Sequence, residues 1–272
     1  MAEHLITFLP AGQTISVTEG TNLLDAARSA GLTPNAPCGG KGTCGKCKVR
    51  LLHLPDAPEA LACQTPVTGP MTVRFLSDEG KSQVISTKSD LSLGAFPADS
   101  DEGYCVAFDI GTTTVVGYLL DANGRELGSI GRLNPQMTYG ADVISRINYC
   151  LENTQEPLTS VIRKTLKEQI LHLCEKQGIS DSEIRTVAIV GNTCMHHMLM
   201  AIDPRPLVTP PYSPGEKRPL QVPASQLLDV CPNATVRVFP NIAGFVGGDT
   251  VGCITALHFD KLTEHSLLIG TV

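Results

Sequence analysis

The sequence has neither an excess of basic residues nor a long apolar run. Its 272 residues include 21 Lys and Arg against 27 Asp and Glu, which gives a formal net charge of -6 at pH 7. This balance provides no electrostatic footprint for nucleic acid. No apolar stretch approaches the roughly 20 residues that a helix needs to cross a bilayer. The two absences argue against a nucleic-acid partner and against a membrane-spanning protein.

An export signal is also missing. The N-terminus, MAEHLITFLPAGQ, has no charged segment followed by a long apolar stretch, so we identify no signal peptide and expect the cytoplasm. Ten cysteines would suit a secreted disulfide scaffold only in a much shorter chain. In a reducing compartment, clustered cysteines are typical of metal ligands and scattered ones are usually small buried hydrophobes. The six scattered cysteines are Cys105, Cys150, Cys174, Cys194, Cys231 and Cys253.

The length and the residue patterns predict two domains joined by a linker. Residues 1–78 combine short strand patterns with one helix, which Thr21 is predicted to cap and Gly31 to end; this favours a small α+β sheet of the β-grasp kind. Residues 79–103 are polar and weakly periodic, as expected of a linker. Residues 104–272 mix strands and helices and indicate an α/β domain.

The second domain begins with two predicted strands, 106–110 and 115–120, around a tight turn. A helix is predicted from near Pro157 to Gly178, because apolar residues recur along it at helical spacing. A short buried strand at 187–190 opens into Gly191, Asn192 and Thr193. The proline-rich stretch 203–223 is predicted to be loop.

Four cysteines in the first domain form the strongest motif. Thiolate ligands hold iron in both of its common oxidation states, and the glycines between the cysteines let a loop curl and bring N–H groups close to sulfur. The pattern predicts a [2Fe–2S] cluster and an electron-transfer role. The alternative is zinc, but zinc sites usually present paired C-x2-C units and only one such pair is present. The predicted ligands are Cys38, Cys44, Cys47 and Cys63, with the spacing C-x5-C-x2-C-x15-C.

The segment FDIGTTTVVGYLLD places an acidic residue, a glycine turn and three hydroxyls between two strands. Asp109 could orient Mg²⁺ through water, and the turn from Gly111 to Thr114 could bind phosphate oxygens. The alternative is a plain hairpin whose threonines favour strands. The chain has no Walker A motif. His196 and His197 are neighbours, so on a helix they point about 100° apart and chelate one ion poorly, which favours a structural role for both.

Several motifs together resemble one family. CGGKGTCGKC with the distant ACQT resembles [2Fe–2S] ferredoxins of the adrenodoxin kind and the N-terminal domain of the reductive activators of corrinoid proteins. The FDIGTTT segment is similar to the first phosphate loop of the superfamily that contains acetate and sugar kinases, heat-shock chaperones and actin. Four further segments resemble the corrinoid-activator branch and extend the resemblance over essentially the whole chain: NPQMTYGADVISRI, VGNTCMHHMLMAIDP, PPYSP and PNIAGFVGGDTVG.

The resemblance implies a β-grasp ferredoxin-like domain followed by about the first lobe of an actin-like ATPase-type domain. It implies that ATP phosphates and Mg²⁺ contact Asp109, Gly111, Thr112, Thr113 and Thr114. Two further segments would face the nucleotide cleft, Gly191 with Asn192 and Gly247 with Gly248. Asp249 would orient a water or a metal as the catalytic carboxylate, or alternatively only cap its loop.

By the same resemblance, the expected function is ATP-dependent reduction of a Co(II) corrinoid protein to Co(I) in a methyltransferase system. The implied cofactors are a [2Fe–2S] cluster and Mg-ATP, and the implied partners are the corrinoid protein and an upstream electron donor. A homodimer is expected by analogy only. Because the second phosphate loop of the family is not found before Val272, we expect half of a nucleotide site and place ATPase activity in question.

Two other functions remain open at this point. The chain could be a simple [2Fe–2S] electron carrier whose second domain only binds a partner. It could also be a zinc-stabilised interaction domain, if the four cysteines bind zinc.

Overall fold

The computed structural model describes residues 2–76, 103–263 and 267. Of the predicted linker, only Gly103 is among them. The chain divides into two compact units, Met1–Gln83 with Pro135–Tyr149 and Val84–Asn134 with Cys150–Val272. One stretch of the predicted second domain therefore belongs to the first unit.

The first unit contains a five-stranded mixed sheet in the order β2-β1-β5-β3-β4. Its strands are β1 (Glu3–Leu9), β2 (Gln13–Thr18), β3 (Lys48–Leu51), β4 (Glu59–Leu61) and β5 (Met71–Phe75). β1 and β5 run parallel in the middle of the sheet, while the other pairs are antiparallel. One helix, α1 (Leu23–Ser29), shares a core with this sheet. The arrangement is the β-grasp fold that the sequence predicts.

Amphipathic spacing explains how α1 and the sheet share that core. Leu23 and Leu24 on the helix are almost fully buried, as are Phe8 and Val73 on the two central strands. Burying side chains of this size stabilises the unit by roughly 1.5–3 kcal/mol each.

The predicted cap of α1 was wrong by one residue. Asn22 is the N-cap, because its side-chain oxygen accepts a hydrogen bond from the Asp25 N–H at 2.9 Å. The backbone of Thr21 instead pairs with other loop segments, since its carbonyl accepts from the Val67 N–H at 2.8 Å.

The second unit contains a six-stranded sheet in the order β10-β11-β9-β6-β7-β8. Its strands are β6 (Tyr104–Ile110), β7 (Thr114–Leu120), β8 (Glu126–Leu133), β9 (Ile184–Gly191), β10 (Leu220–Pro223) and β11 (Thr235–Val238). β6, β7 and β8 form an antiparallel meander, and β9 and β11 continue the sheet parallel to β6. The loop predicted over 203–223 is wrong at its end, where β10 pairs with β11 as an edge strand. An edge position tolerates the proline that ends β10.

Helices connect these strands, as expected of an α/β domain. They are α3 (Glu156–Gln177), α4 (Thr193–Met200), α5 (Ala224–Leu227) and α6 (Gly248–Ala256), while most of α2 (Val143–Glu152) belongs to the first unit. The predicted long helix is confirmed as α3, which begins next to Pro157 and ends at Gly178 in the left-handed conformation, φ 67°. Its apolar stripe, from Leu158 to Leu173, is fully buried. None of the helices in the described part of the chain is long and apolar enough to span a bilayer.

The scattered cysteines are mostly inside the second unit. Cys174, Cys194 and Cys231 are buried, as expected of small hydrophobic residues. Cys150 is only half-buried, with its sulfur 3.7 Å from that of Met198. Cys253 is exposed.

Candidate functional site

The four clustered cysteines come together as two pairs. The Sγ atoms of Cys38 and Cys44 lie 3.3 Å apart, and those of Cys47 and Cys63 also lie 3.3 Å apart. The first three residues belong to the loop between α1 and β3, and Cys63 belongs to a single helical turn that follows β4. Thiolates that share one tetrahedral metal with bonds of about 2.3 Å lie about 3.7 Å apart. Each pair, at 3.3 Å, is therefore slightly closer than two ligands on one metal.

The pairing suits two metal ions better than one. Within residues 2–76, 103–263 and 267, no three His, Cys, Asp or Glu side chains are arranged to hold a metal ion as a set. A zinc site requires four ligands that converge on a single ion, whereas a [2Fe–2S] cluster takes two thiolates on each of two irons. The geometry thus fits a two-iron cluster.

The electrostatics of this loop fit a bound cationic centre. Burial alone would raise the pKa of the Cys38 thiol, but hydrogen bonds from the Cys44 N–H, the Cys44 thiol and the N–H groups of Gly40 and Thr43 outweigh it and lower that pKa to about 6. For Cys63, burial and the neighbouring Cys47 and Cys38 sulfurs raise the pKa to about 11. Several thiolates cannot be held this close together without opposing positive charge, which iron supplies.

Glycine is required where this loop turns tightly. Gly40 has φ +103°, and a Cβ there would lie 3.3 Å from the Leu24 side chain. Gly42 has φ +74°, and its Cβ would collide with the Gln64 side chain. Since residues other than glycine are strained at a positive φ, this loop needs glycine at both positions in order to turn.

A second group of predicted residues lies in the second unit, at the turn between β6 and β7. Gly111 closes this turn by donating its N–H to the Thr114 carbonyl at 2.8 Å. Asn134, directly after β8, holds the turn in place. Its backbone N–H donates to the Thr113 carbonyl and its side-chain amide donates to the Gly111 carbonyl, both at 2.8 Å. Asn134 is fully buried. Sequence reasoning missed this role, although the residue opens the NPQMTYG motif.

The end of β9 meets this turn. Gly191 pairs with Ile110, and a Cβ on Gly191 would lie 2.7 Å from the Ile110 carbonyl oxygen, so only glycine fits. Asn192 then donates from its amide nitrogen to the Thr112 hydroxyl at 3.0 Å. Its oxygen accepts from the Met195 N–H at 3.0 Å and caps α4. One asparagine thereby joins the threonine turn to the start of a helix.

The third predicted segment begins α6 beside the same strand end. A Cβ on Gly247 would lie 2.5 Å from the Thr193 nitrogen, and one on Gly248 would lie 3.0 Å from the Phe239 Cβ. Asp249 follows in the first turn of α6. Its carboxylate accepts from the Thr250 N–H at 2.7 Å, a contact within the first turn of the helix.

The carboxylate of Asp249 lies near enough to Asp109 for its negative charge to act there. Neighbouring protein atoms partly desolvate the Asp109 carboxyl, and this effect, followed by the negative charge of Asp249, raises its pKa. Two carboxylates whose charges repel across a cleft are stabilised by a divalent cation between or near them. The structure thus brings the sequence-predicted residues of the second unit to neighbouring strand and helix ends, where Asp109 and Thr113 are exposed.

The two adjacent histidines are engaged inside the protein. His197 donates from Nδ1 to the Thr193 carbonyl at 2.8 Å and accepts at Nε2 from the Gly215 N–H at 2.9 Å. The His196 ring contacts the Asn241 amide through Nδ1. Burial lowers the pKa of both histidines, that of His196 to about 4. Both act as neutral structural groups.

Comparison with known proteins places these two sites in context. Residues 104–262 match a family model described as the RACo middle region, and residues 6–68, which include all four clustered cysteines, match the 2Fe-2S iron-sulfur cluster binding domain. A corrinoid activation enzyme, RamQ of Eubacterium limosum, is 28% identical over 334 aligned positions, covering 95% of this chain and 56% of that protein.

A solved structure described as a reductive activator for corrinoid, iron-sulfur protein is 25% identical, with a TM-score of 0.58. The match covers 96% of this chain and 59% of that one. The chain therefore spans a little over half the length of both relatives. The N-terminal domain is a [2Fe–2S] domain, and the fold expected from the sequence resemblance is confirmed.

Proposed function

Because the chain belongs to the family of the RACo middle region and has a [2Fe–2S] domain in front of it, we propose that it forms the electron-transfer part of an ATP-dependent reductive activator. Its target would be a corrinoid protein of a methyltransferase system, returned from the inactive Co(II) state to Co(I). Both relatives are named for corrinoid activation. The observation that supports the proposal most strongly is the pairing of four thiols within a domain of this type.

Each thiol pair is assigned to one iron. Cys38 and Cys44 would hold the first iron, and Cys47 and Cys63 the second, since the sulfurs of each pair are 3.3 Å apart. A [2Fe–2S] cluster supplies one-electron transfer when it is bound. The protein tunes that chemistry with N–H donors, and those of Gly40, Thr43 and Cys44 point at the Cys38 sulfur.

The second unit is assigned to nucleotide binding. The turn from Gly111 to Thr114 would receive phosphate oxygens, and Asp109 would hold Mg²⁺ through water. Asn192 keeps Thr112 in place through its 3.0 Å hydrogen bond. Asp249 would orient a water or the metal, and its negative charge contributes to the raised pKa of Asp109. A nucleotide can drive an unfavourable reduction only by favouring a protein state in which the corrinoid is easier to reduce.

The test is reduction of a Co(II) corrinoid protein by the dithionite-reduced chain, followed by the cobalt absorption spectrum with and without MgATP. The same assay is run with a longer chain that restores the length of the relatives. Formation of Co(I) that depends on MgATP in either chain supports the proposal. Electron transfer that is equal with and without MgATP, together with no heat on titration with MgATP, would assign a simple electron carrier instead.

A further inference from the structure

The first unit includes a stretch that does not belong to the ferredoxin sequence. Residues 135–149, here called the Tyr139 segment, fall outside the part of the chain that matches the cluster-binding family model but inside the same compact unit. Within this unit, the segment contacts the cluster loop, which is the loop between α1 and β3 that carries Cys38, Cys44 and Cys47. Three of its backbone groups, the Thr138 hydroxyl and the rings of Tyr139 and Tyr149 make contact with α1 and this loop.

Arg28, near the end of α1, is the centre of the contact. Its side chain is only 7% exposed although it is charged. One guanidinium nitrogen donates to Asp25 at 2.7 Å, and another donates to the Thr138 carbonyl and, at 3.4 Å, to the Gly39 carbonyl. The guanidinium carbon also lies 4.7 Å from the centre of the Tyr139 ring. A buried arginine held by a carboxylate, two carbonyls and an aromatic face is a rigid bridge between its partners.

The backbone of the segment holds both chain neighbours of Cys38. The Ala141 N–H donates to the Pro37 carbonyl at 2.9 Å. On the other side, the Tyr139 carbonyl packs so closely on Gly39 that a Cβ there would lie 2.7 Å from its oxygen. Cys38 therefore cannot shift along the loop without breaking one contact or straining the other.

The segment is itself well fixed. Arg146 is fully buried and donates to the Gly140 carbonyl at 2.9 Å and to the Gln136 side chain at 3.2 Å. The rings of Tyr139 and Tyr149 lie 5.0 Å apart, in a tilted packing that ties the two ends of the stretch together. A support that is rigid in its own right can impose a position on the loop that it touches.

We propose that the Tyr139 segment and Arg28 act as a positioning clamp for the cluster loop, holding Cys38 by gripping the residues on either side of it. The inference rests on the proposed role of Cys38 as an iron ligand. Small shifts of Cys38 would change the N–H bonds that its sulfur receives, and such bonds set the reduction potential of iron–sulfur centres. Arg28 and Tyr139 are thus positioning residues and touch no iron.

The experiment uses the full chain, purified and reconstituted without oxygen, with the variants Arg28→Gln and Tyr139→Ala. Arg28→Lys and Tyr139→Phe are the conservative partners, since they keep the charge and the ring. Arg50→Gln is the matched control, because it removes the same charge from an exposed ion pair with Glu59 in the same sheet.

We expect Arg28→Gln and Tyr139→Ala to speed loss of iron to a chelator by about tenfold, because the first loses charge-assisted hydrogen bonds and the second loses the ring that packs on the guanidinium. The midpoint potential, which a merely stabilising contact would not move, should shift by the equivalent of about a threefold change in the reduction equilibrium. Tyr139→Phe should recover most of both effects, Arg28→Lys should recover only part of them because an ammonium lacks the planar set of donors, and Arg50→Gln should show neither.

A second measurement tests the clamp without requiring that the chain binds a cluster. In the metal-free chain, the Ala141 amide should exchange with deuterium about tenfold faster in Arg28→Gln than in the wild type. Faster exchange in a chain that never binds iron would support the clamp and contradict the assigned cluster. Unchanged exchange, iron release and potential in both disruptive variants would overturn the clamp even if the cluster forms.

Discussion

The two sites of this chain are built in opposite ways. The cluster loop takes three of its four cysteines from one glycine-rich stretch, and only Cys63 comes from a separate turn. The site in the second unit is assembled from strand ends that are far apart in sequence, with Asn134 and Asn192 fastening them. A site of the first kind can be recognised from spacing alone, whereas a site of the second kind needs the sheet to bring its parts together.

The largest effect is expected from breaking a thiol pair. Cys63→Ala leaves Cys47 without its partner at 3.3 Å, so one iron would have a single protein ligand. We expect near-complete loss of the cluster, measured as bound iron and as visible absorbance after anaerobic reconstitution. Cys253→Ala, which removes an exposed cysteine, is the control and should retain full iron content. Full iron content in Cys63→Ala would contradict the ligand assignment.

Acid should weaken the second unit through His196. This side chain is 4% exposed and the pKa of its imidazole is lowered to about 4, chiefly by burial. The unfolded chain binds a proton near pH 6.5, so stability present at pH 7 is lost as the pH falls from about 6.5 towards 4.

From these values, the free energy of unfolding of His196→Gln should fall by about 2 kcal/mol less than that of the wild type between pH 7 and pH 5. The measurement is urea unfolding followed by circular dichroism at both pH values. His172→Gln, on the exposed side of α3, serves as the control for replacing a histidine. An identical pH dependence in His196→Gln and the wild type would show that His196 does not set the acid sensitivity.

Nucleotide binding should depend on Asp109. Asp109→Asn removes the carboxylate that we assign to Mg²⁺, and the expected loss is about tenfold in MgATP affinity by calorimetry, close to 1.4 kcal/mol. Asp229→Asn, which changes an exposed aspartate paired with Lys167, should leave the affinity unchanged. Equal affinities in both variants would remove Asp109 from the site and favour the plain-hairpin interpretation of the turn.

The smallest expected effect concerns the helix that carries Arg28. Asn22→Ala removes the oxygen that caps α1 and should lower the free energy of unfolding by about 1 kcal/mol. Thr21→Ala tests the residue that the sequence favoured as the cap and should cost less. Denaturant unfolding of both variants measures the difference. A larger loss in Thr21→Ala would reverse the assignment of the cap.

The sequence predicted those parts of the fold that depend on local patterns. The apolar stripe and the flanking proline and glycine of α3 define that helix without help from the rest of the chain. The strand β4 has only three residues, and β10 ends in a proline, so neither has a strong strand pattern. Their formation depends on pairing with neighbours that lie elsewhere in the sequence.

The same difference between local patterns and long-range contacts explains which site residues the sequence predicted. The cysteine spacing and the FDIGTTT turn mark their sites directly. The roles of Asn134 and Arg28 could not be inferred from the sequence, because each depends on hydrogen bonds to carbonyl groups of distant loops. Nor could the linear order of the domains indicate that the Tyr139 segment belongs to the same compact unit as the cluster loop.

The most direct test of the account is the metal content and paramagnetic resonance of the anaerobically purified wild-type chain. We expect about two irons per chain, a brown colour, and a resonance signal that appears on reduction with dithionite. A colourless chain that contains zinc and gives no signal after dithionite would contradict the assignment of the paired cysteines to a [2Fe–2S] cluster.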